Sequence, residues 1–294
     1  MRGRRGKAPR LIQILFFVLV GLSFSVTVIY SQDLNAFSKT LNSGSTEEKR
    51  DVLMQLRSLR SEEASRVAVS ALKDGNPMVR ATAVSSVIFL PKVEAAAALL
   101  PLLNDKDEFV RSEAAYALGT VGDPSAASHL IKSLTADKSQ AVCSAAAVSL
   151  GKVGNPDVVS PLVAVLNQTP TENNEMLRRA AARSIGQIAQ IMRSGKVLVI
   201  TPQNFLPERF KDFKDIDAKP SPDLLAHFAG AVKMLIHVLD STKEADDTRR
   251  EAAFALGAIG DPSAMPVLSK YISSSDVYLA EISKEALLKL RAVE

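Results

Sequence analysis

A 25-residue stretch, residues 110–134, reads VRSEAAYALGTVGDPSAASHLIKSL. It recurs as VCSAAAVSLGKVGNPDVVSPLVAVL over 142–166 and as TRREAAFALGAIGDPSAMPVLSKYI over 248–272. In each copy a leucine follows the Ala-Leu-Gly or Ser-Leu-Gly glycine 11 residues later, and Asp-Pro or Asn-Pro lies between them. A recurrent unit of this size indicates a repeat architecture.

Each copy predicts a pair of helices. Val110, with Leu118 two turns later, marks one apolar face at helical period. Gly122 then suits a helix C-terminal cap, Asp123 an N-cap and Pro124 the first position of the next helix. A single hairpin of this kind cannot bury its apolar face, so the copies must stack on one another.

Weaker copies extend the array in both directions. They begin at Val79 and Leu177, and the earliest, over 49–72, keeps only the helical pattern. The sequence therefore predicts an all-α fold, a right-handed α-solenoid of about six helical hairpins over residues 33–294. A single amphipathic helix over 277–293 is expected to close and cap the array.

The recurrent pattern VR-x-x-AA-x-ALG-x-[VI]-GDP-x-A resembles HEAT-like repeats, in particular the short kind first described in phycobilin lyases. The resemblance covers roughly residues 44–294 and implies a convex face of first helices and a concave face of second helices. It also implies structural arginines that pair with acidic residues of a neighbouring turn. The candidate arginines are Arg80, Arg111, Arg178 and Arg249, and the candidate acids are Asp74, Asp105, Asp107 and Asp137. Cys143 takes the place of the arginine in one copy.

The N-terminal segment, residues 1–32, predicts export. Five basic residues and no acidic one are followed by 20 uncharged residues, LIQILFFVLVGLSFSVTVIY, over 11–30. A basic stretch before an apolar run is typical of a cleaved signal peptide, here with cleavage after Ser31, but 20 residues also suffice for a single-pass membrane anchor. Both alternatives place 33–294 outside the cytoplasm, periplasmic or extracellular, because the basic end stays inside.

The body of the chain is nearly neutral. Without residues 1–32 it holds 36 − 5 = 31 basic and 32 acidic residues, a formal charge of −1. A neutral body disfavours a nucleic acid partner, and so disfavours the alternative of a HEAT-like DNA-binding protein. The single cysteine excludes an intramolecular disulfide, and we interpret the repeat glycines as helix punctuation rather than a phosphate cradle. These observations predict no metal, no cofactor, no small-molecule substrate and no enzymatic activity.

The fifth copy is interrupted. Leu235 follows Gly186 by 49 residues instead of 11, which adds 49 − 11 = 38 residues, and the excess lies at about 190–222. Aromatic side chains often dominate binding energy, so this insertion is expected either to dock on the array or to bind a partner. Its three phenylalanines are the candidate anchors: Phe205, Phe210 and Phe213.

The leading functional hypothesis is an exported, non-enzymatic scaffold for protein–protein interactions, since a stack of hairpins offers a long surface. The partner is then another protein, with the membrane as a second partner through residues 11–30 if these are not cleaved. The alternative is a lyase-like enzyme or lyase subunit, which only the repeat resemblance implies. Helical phase selects these second-helix residues for the binding surface: Ser128, His129, Lys132, Ala164 and Lys270.

Overall fold

The computed structural model of the protein describes residues 34–195, 205 and 220–291. Every regular element within these ranges is helical, which confirms the predicted fold class. The chain divides into two compact units, Met1–Val87 and Ile88–Glu294. The export segment, Phe210 and Phe213 lie outside the described residues.

The first unit contains four described α-helices. α1 covers 34–43, α2 is Thr46–Leu59, α3 is Glu62–Ala68 and α4 is Pro77–Ser86. A capping box begins α2, as the Ser-x-x-Glu pattern predicts. The Ser45 backbone N–H donates to the Glu48 carboxylate at 2.8 Å, and the Glu48 N–H donates to the Ser45 hydroxyl at 3.3 Å.

The second unit continues the alternation of first and second helices. Its helices are α5 (Lys92–Leu99), α6 (Glu108–Val121), α7 (Ala127–Ala136), α8 (Gln140–Val153), α9 (Val159–Leu166), α10 (Glu175–Ser194), α11 (Pro222–Asp240), α12 (Asp246–Ile259), α13 (Met265–Tyr271) and α14 (Val277–Arg291). In chain order, α6 to α13 make four of the expected pairs, and α14 is the closing helix.

The helices of the second unit form two layers. The first helices α6, α8, α10, α12 and α14 pack in succession, and the second helices α7, α9, α11 and α13 pack in succession beside them. The leucine 11 residues after the repeat glycine is completely buried where the layers meet. These leucines are Leu130, Leu162 and Leu268, with Leu235 in the interrupted copy.

Left-handed glycines end four of the first helices, α6, α8, α10 and α12. Gly122 has φ of 65° and donates its N–H to the Leu118 carbonyl, and Asp123 then accepts from the Ser125 N–H ahead of the next helix. Gly154, Gly195 and Gly260 hold the same conformation at the ends of α8, α10 and α12. The predicted cap chemistry is thereby confirmed, because only glycine adopts this backbone without strain.

The repeat glycine itself has a different role from the predicted punctuation. Gly119 lies inside α6, where a β-carbon would stand 2.5 Å from the Ser149 side chain of α8. The Ser149 hydroxyl donates to the Ala115 carbonyl of α6 at 2.7 Å, and Ser184 of α10 does the same to Ala147 of α8 at 2.8 Å. These glycines therefore permit close approach of neighbouring first helices.

Part of the 38-residue excess is helix. α10 has 20 residues where α6 has 14, and α11 has 19 where α7 has 10. α11 is the one described helix long and apolar enough to cross a membrane, yet its buried side packs on α9 and α12. Arg193, from the last turn of α10, and Pro220, ahead of α11, both lie beside Gly260.

Candidate functional site

The candidate site is the outward side of the second helices α7, α9, α11 and α13, called here the second-helix surface. Its residues are fixed by register, because each buried leucine dictates which neighbours on its helix face outward. The position two residues after that leucine is exposed in all four helices and carries Lys132, Ala164, His237 and Lys270. Ser128, His129 and Lys233 are exposed on the same helices.

A groove of about 130 Å³ opens at one end of this surface. His129 and Lys132 of α7 line one side, and Asn104, from the 3-10 turn that extends α5, lines the other. The Ser128 hydroxyl lies 3.4 Å from Nδ1 of His129. The structure thus brings together three of the residues that helical phase selected, and two of them line one groove.

Lys270, at the other end, is already engaged. Its ammonium lies 3.0 Å from both carboxylate oxygens of Asp240 on α11, and the Tyr271 hydroxyl donates to the same carboxylate at 3.0 Å. Hydrogen bonds from Lys270 and Tyr271 hold the pKa of the Asp240 carboxyl below its ordinary value. A ligand that reaches Lys270 therefore competes with an internal carboxylate.

Buried charges fix the turns beneath the surface. Arg111 donates to both carboxylate oxygens of Asp137, at 2.7 and 3.0 Å, and to the Asp105 backbone carbonyl at 2.9 Å. Burial acts to raise the pKa of the Asp137 carboxyl, but hydrogen bonds from Arg111 and from the Ser139 N–H outweigh it, so that pKa is lowered. Asp137 also lines the groove beside Lys132, so this pair anchors one wall.

One of the four acids that the resemblance implied, Asp137, pairs its carboxylate with the repeat arginine Arg111. The Asp105 backbone carbonyl also accepts a hydrogen bond from Arg111. Asp107 accepts the first N–H groups of α6 as an N-cap, and Asp74 pairs with Lys49. The Asp74 backbone carbonyl also accepts a hydrogen bond from the repeat arginine Arg80 at 2.8 Å.

Glu244 is the partner that sequence reasoning missed. Arg178 donates to both oxygens of the Glu244 carboxylate, and the two side chains are 2% and 3% exposed. The Arg178 guanidinium also donates to the Val165, Leu166 and Gln168 carbonyls at the end of the α9 region. This pair joins α10 to the turn before α12 across the insertion and lines a cavity of about 390 Å³.

In α12 the arginine that reaches an acidic residue of the next turn is Arg250, and not the predicted Arg249. Arg249 donates to the Leu239 carbonyl and bonds Asp246 at 3.4 Å, within its own turn of helix. Its neighbour Arg250 instead reaches the next turn, where it donates to Asp276 at 2.8 Å.

At the arginine position of α8, the buried Cys143 thiol contacts the Ser133 and Asp137 carbonyls, and burial raises the pKa of that thiol.

Phe205 is the only phenylalanine of the insertion among the described residues. Its ring lies 5.2 Å from that of Tyr278 in the first turn of α14, and the ring planes are tilted by 57°. Both rings stay about half exposed, at 45% and 54%. The Arg250 guanidinium lies 5.5 Å from the other ring of this pair, that of Tyr278. Phe205 thus contacts the first-helix layer, away from the second-helix surface.

A cluster of charged residues between α10 and α12, built around the buried Glu251, was also missed. Glu251 lies 3.3 Å from Arg183 and 3.8 Å from Arg179, yet one of its carboxylate oxygens has no hydrogen-bond partner. Burial raises the pKa of Glu251 despite the two arginines. The copy over 110–134 carries Glu113 at the same register position, so the sequence alone did not single out Glu251.

The three histidine side chains do not form a common site. His129 is on α7, and His227 and His237 are exposed on α11, ten residues apart. Within the part of the chain that the structure describes, no three His, Cys, Asp or Glu side chains are placed to hold one metal ion.

Two protein-family models match parts of the chain. The HEAT repeat model matches residues 88–149 and 128–199, and the PBS lyase HEAT-like repeat model matches 248–274. These segments are HEAT repeats. Human deoxyhypusine hydroxylase is 40% identical over 62 residues, which are 21% of this chain and 20% of that protein. The match thus spans about a fifth of the curated relative's length.

Solved structures with a similar backbone path have low sequence identity to this protein. Human deoxyhypusine hydroxylase in complex with glycerol has a TM-score of 0.41 at 18% identity and covers 90% of this chain and 98% of its own. The complex of CpcE and CpcF of phycocyanin lyase from Nostoc sp. PCC7120 has a TM-score of 0.48 at 20% identity, with 89% and 94% covered. A designed armadillo repeat protein gives 0.41 at 19% identity, with 89% and 100% covered.

One expectation needs correction. The prediction that the chain is not an enzyme is contradicted by the 62-residue segment that is 40% identical to human deoxyhypusine hydroxylase, which is an enzyme. The prediction rested on missing catalytic motifs in the linear sequence. A repeat array can assemble a reaction site from side chains on separate hairpins, which leaves no local motif.

Proposed function

We propose that the protein is an exported HEAT repeat scaffold that binds another protein along its second-helix surface. The observation that supports this is the continuous series of exposed positions set by the buried leucines, from Lys132 on α7 to Lys270 on α13. Rigid stacking keeps those positions at fixed spacing, so little ordering entropy is lost when a partner binds.

Site-specific photo-crosslinking in the cell that makes the protein tests this proposal. A photoreactive phenylalanine analogue replaces Ala164, which is exposed on α9, and in a matched variant replaces Lys152, which is exposed on the first helix α8. We expect a discrete crosslinked partner from position 164 and none from 152. Adducts of equal yield from both positions, or from neither, would contradict the proposed binding face.

Export is part of the same proposal and rests on residues 1–32. Fractionation with N-terminal sequencing separates the two forms of export. A mature chain that begins near Gln32 indicates a cleaved signal, and an intact N-terminus in the membrane fraction indicates an anchor. A full-length chain recovered from the cytoplasm would refute both.

We propose hydroxylation of deoxyhypusine as a second candidate function, because of the 40% identity to human deoxyhypusine hydroxylase over 62 residues. Purified protein is incubated with a deoxyhypusine-containing substrate, with dioxygen as the oxidant and an added reductant, and with the human enzyme as the positive control. Hydroxylated product above the buffer background would support this candidate. Its absence under conditions where the human enzyme turns over would rule the candidate out.

A further inference from the structure

We infer that the second-helix surface binds an acidic, extended polypeptide segment; this names the class of partner and rests on the proposed function. The exposed position two residues after the buried leucine carries a lysine or a histidine in three of the four helices. These residues are Lys132, His237 and Lys270. Ala164 fills the fourth place and leaves room for the segment's backbone.

Neighbouring side chains strengthen the positive character of the surface. Lys233 precedes His237 by one helical turn on α11, and His129 precedes Lys132 by three residues on α7, so each pair shares a face. Lysine ammonium groups and imidazole N–H groups both donate to carboxylates. Arg111 lies below the surface and is engaged there, because its guanidinium donates to both carboxylate oxygens of Asp137 and to the Asp105 backbone carbonyl.

Carboxylates on the same helices are few. α7, α9 and α13 contain no Asp or Glu at all. α11 has Asp223 in its first turn, ten residues from Lys233, and Asp240, which is engaged by Lys270. Among the described residues, Lys132 and Lys233 take part in no ion pair. Two ammonium groups are therefore ready for carboxylates of a partner.

The spacing favours an extended segment. Neighbouring packed helices lie about 8–10 Å apart, so the line from α7 to α13 spans three intervals, or roughly 25–30 Å. An extended chain advances about 3.3 Å per residue, so about nine residues cover that distance. A nucleic acid is the less suitable polyanion, because the body of the chain has a formal charge of only −1 over residues 33–294.

Fluorescence anisotropy with the full-length chain tests the inference. The probe is a fluorescein-labelled peptide of nine glutamates in low salt, compared with a nine-lysine peptide and a nine-nucleotide DNA strand. Lys132→Glu and Lys233→Glu are each compared with Lys152→Glu, an equal charge reversal on the exposed side of α8. Lys132→Gln, which removes the charge without reversing it, serves if the reversal unfolds the chain, and circular dichroism checks folding.

We expect the glutamate peptide to bind more tightly than the other two probes. Lys132→Glu and Lys233→Glu should each weaken its binding by about fivefold to tenfold, and Lys152→Glu by less than twofold. Tighter binding of the lysine peptide or of DNA, no binding of the glutamate peptide, or an equal loss in Lys152→Glu would overturn the inference. Crosslinks from position 164 without binding of the glutamate peptide would refute an acidic partner but would not contradict the proposed function.

Discussion

Gly119→Ala is expected to destabilise the array, although alanine is the better helix former. The new β-carbon would stand 2.5 Å from Cβ and Oγ of Ser149 and 2.7 Å from its Cα, against an ordinary carbon–carbon contact of about 3.5–4.0 Å. Since one of the neighbours is backbone, α6 and α8 must move apart. Overpacking of this kind costs about 1–3 kcal/mol, and disturbing the hydroxyl bond from Ser149 to Ala115 adds about 1–3 kcal/mol.

The gain in helix propensity offsets only about 0.8–1 kcal/mol, so the expected net loss is about 1–5 kcal/mol. Gly230→Ala is the matched control, because Gly230 is exposed within α11 and nothing lies within 4 Å of its missing β-carbon. That variant should be more stable than the parent by about 0.5–1 kcal/mol. Urea unfolding followed by circular dichroism measures both, and a Gly119→Ala protein as stable as Gly230→Ala would refute the close-approach explanation.

Three further predictions concern buried groups. Glu244→Gln should cost about 3–5 kcal/mol in urea unfolding, because it leaves the Arg178 charge buried without its counter-ion. Asp137, whose pKa is held below its ordinary 3.8 by Arg111, contributes stability above about pH 4 that is lost as the pH falls further, so Asp137→Asn should flatten the acid limb of the stability curve. Cys143, the chain's single thiol, should react with a thiol reagent only at the rate of unfolding, and fast labelling of the native protein would show that its buried position is wrong.

Local features of the fold were predictable from the sequence. Gly122 with Asp123 ends one helix and begins the next through hydrogen bonds that reach only a few residues along the chain. The buried leucines follow from helical period for the same reason. Helix boundaries and the outward position of Lys132 therefore needed no knowledge of the neighbouring hairpins.

Features that depend on a neighbouring hairpin were not predictable. The role of Gly119 becomes visible only with Ser149, which is thirty residues later and on another helix. Glu244 lies 66 residues from Arg178, and the insertion between them hides the repeat register that would have paired them. Lys270 was correctly placed outward by phase, but phase along one helix says nothing about Asp240 on the next.

The meeting of the insertion's two ends at Gly260 has a consequence for how the chain can be divided. Arg193 and Pro220 both lie within 4 Å of the place where a β-carbon of Gly260 would stand, and the Arg193 guanidinium donates to the Ala258 carbonyl at 2.9 Å. A gene split between Gly195 and Pro220 would therefore yield two polypeptides whose new termini are neighbours in the folded protein. Fragment complementation on co-expression follows as the expected behaviour, with α11 and α12 of one fragment reassembling against α9 and α10 of the other through the same buried faces.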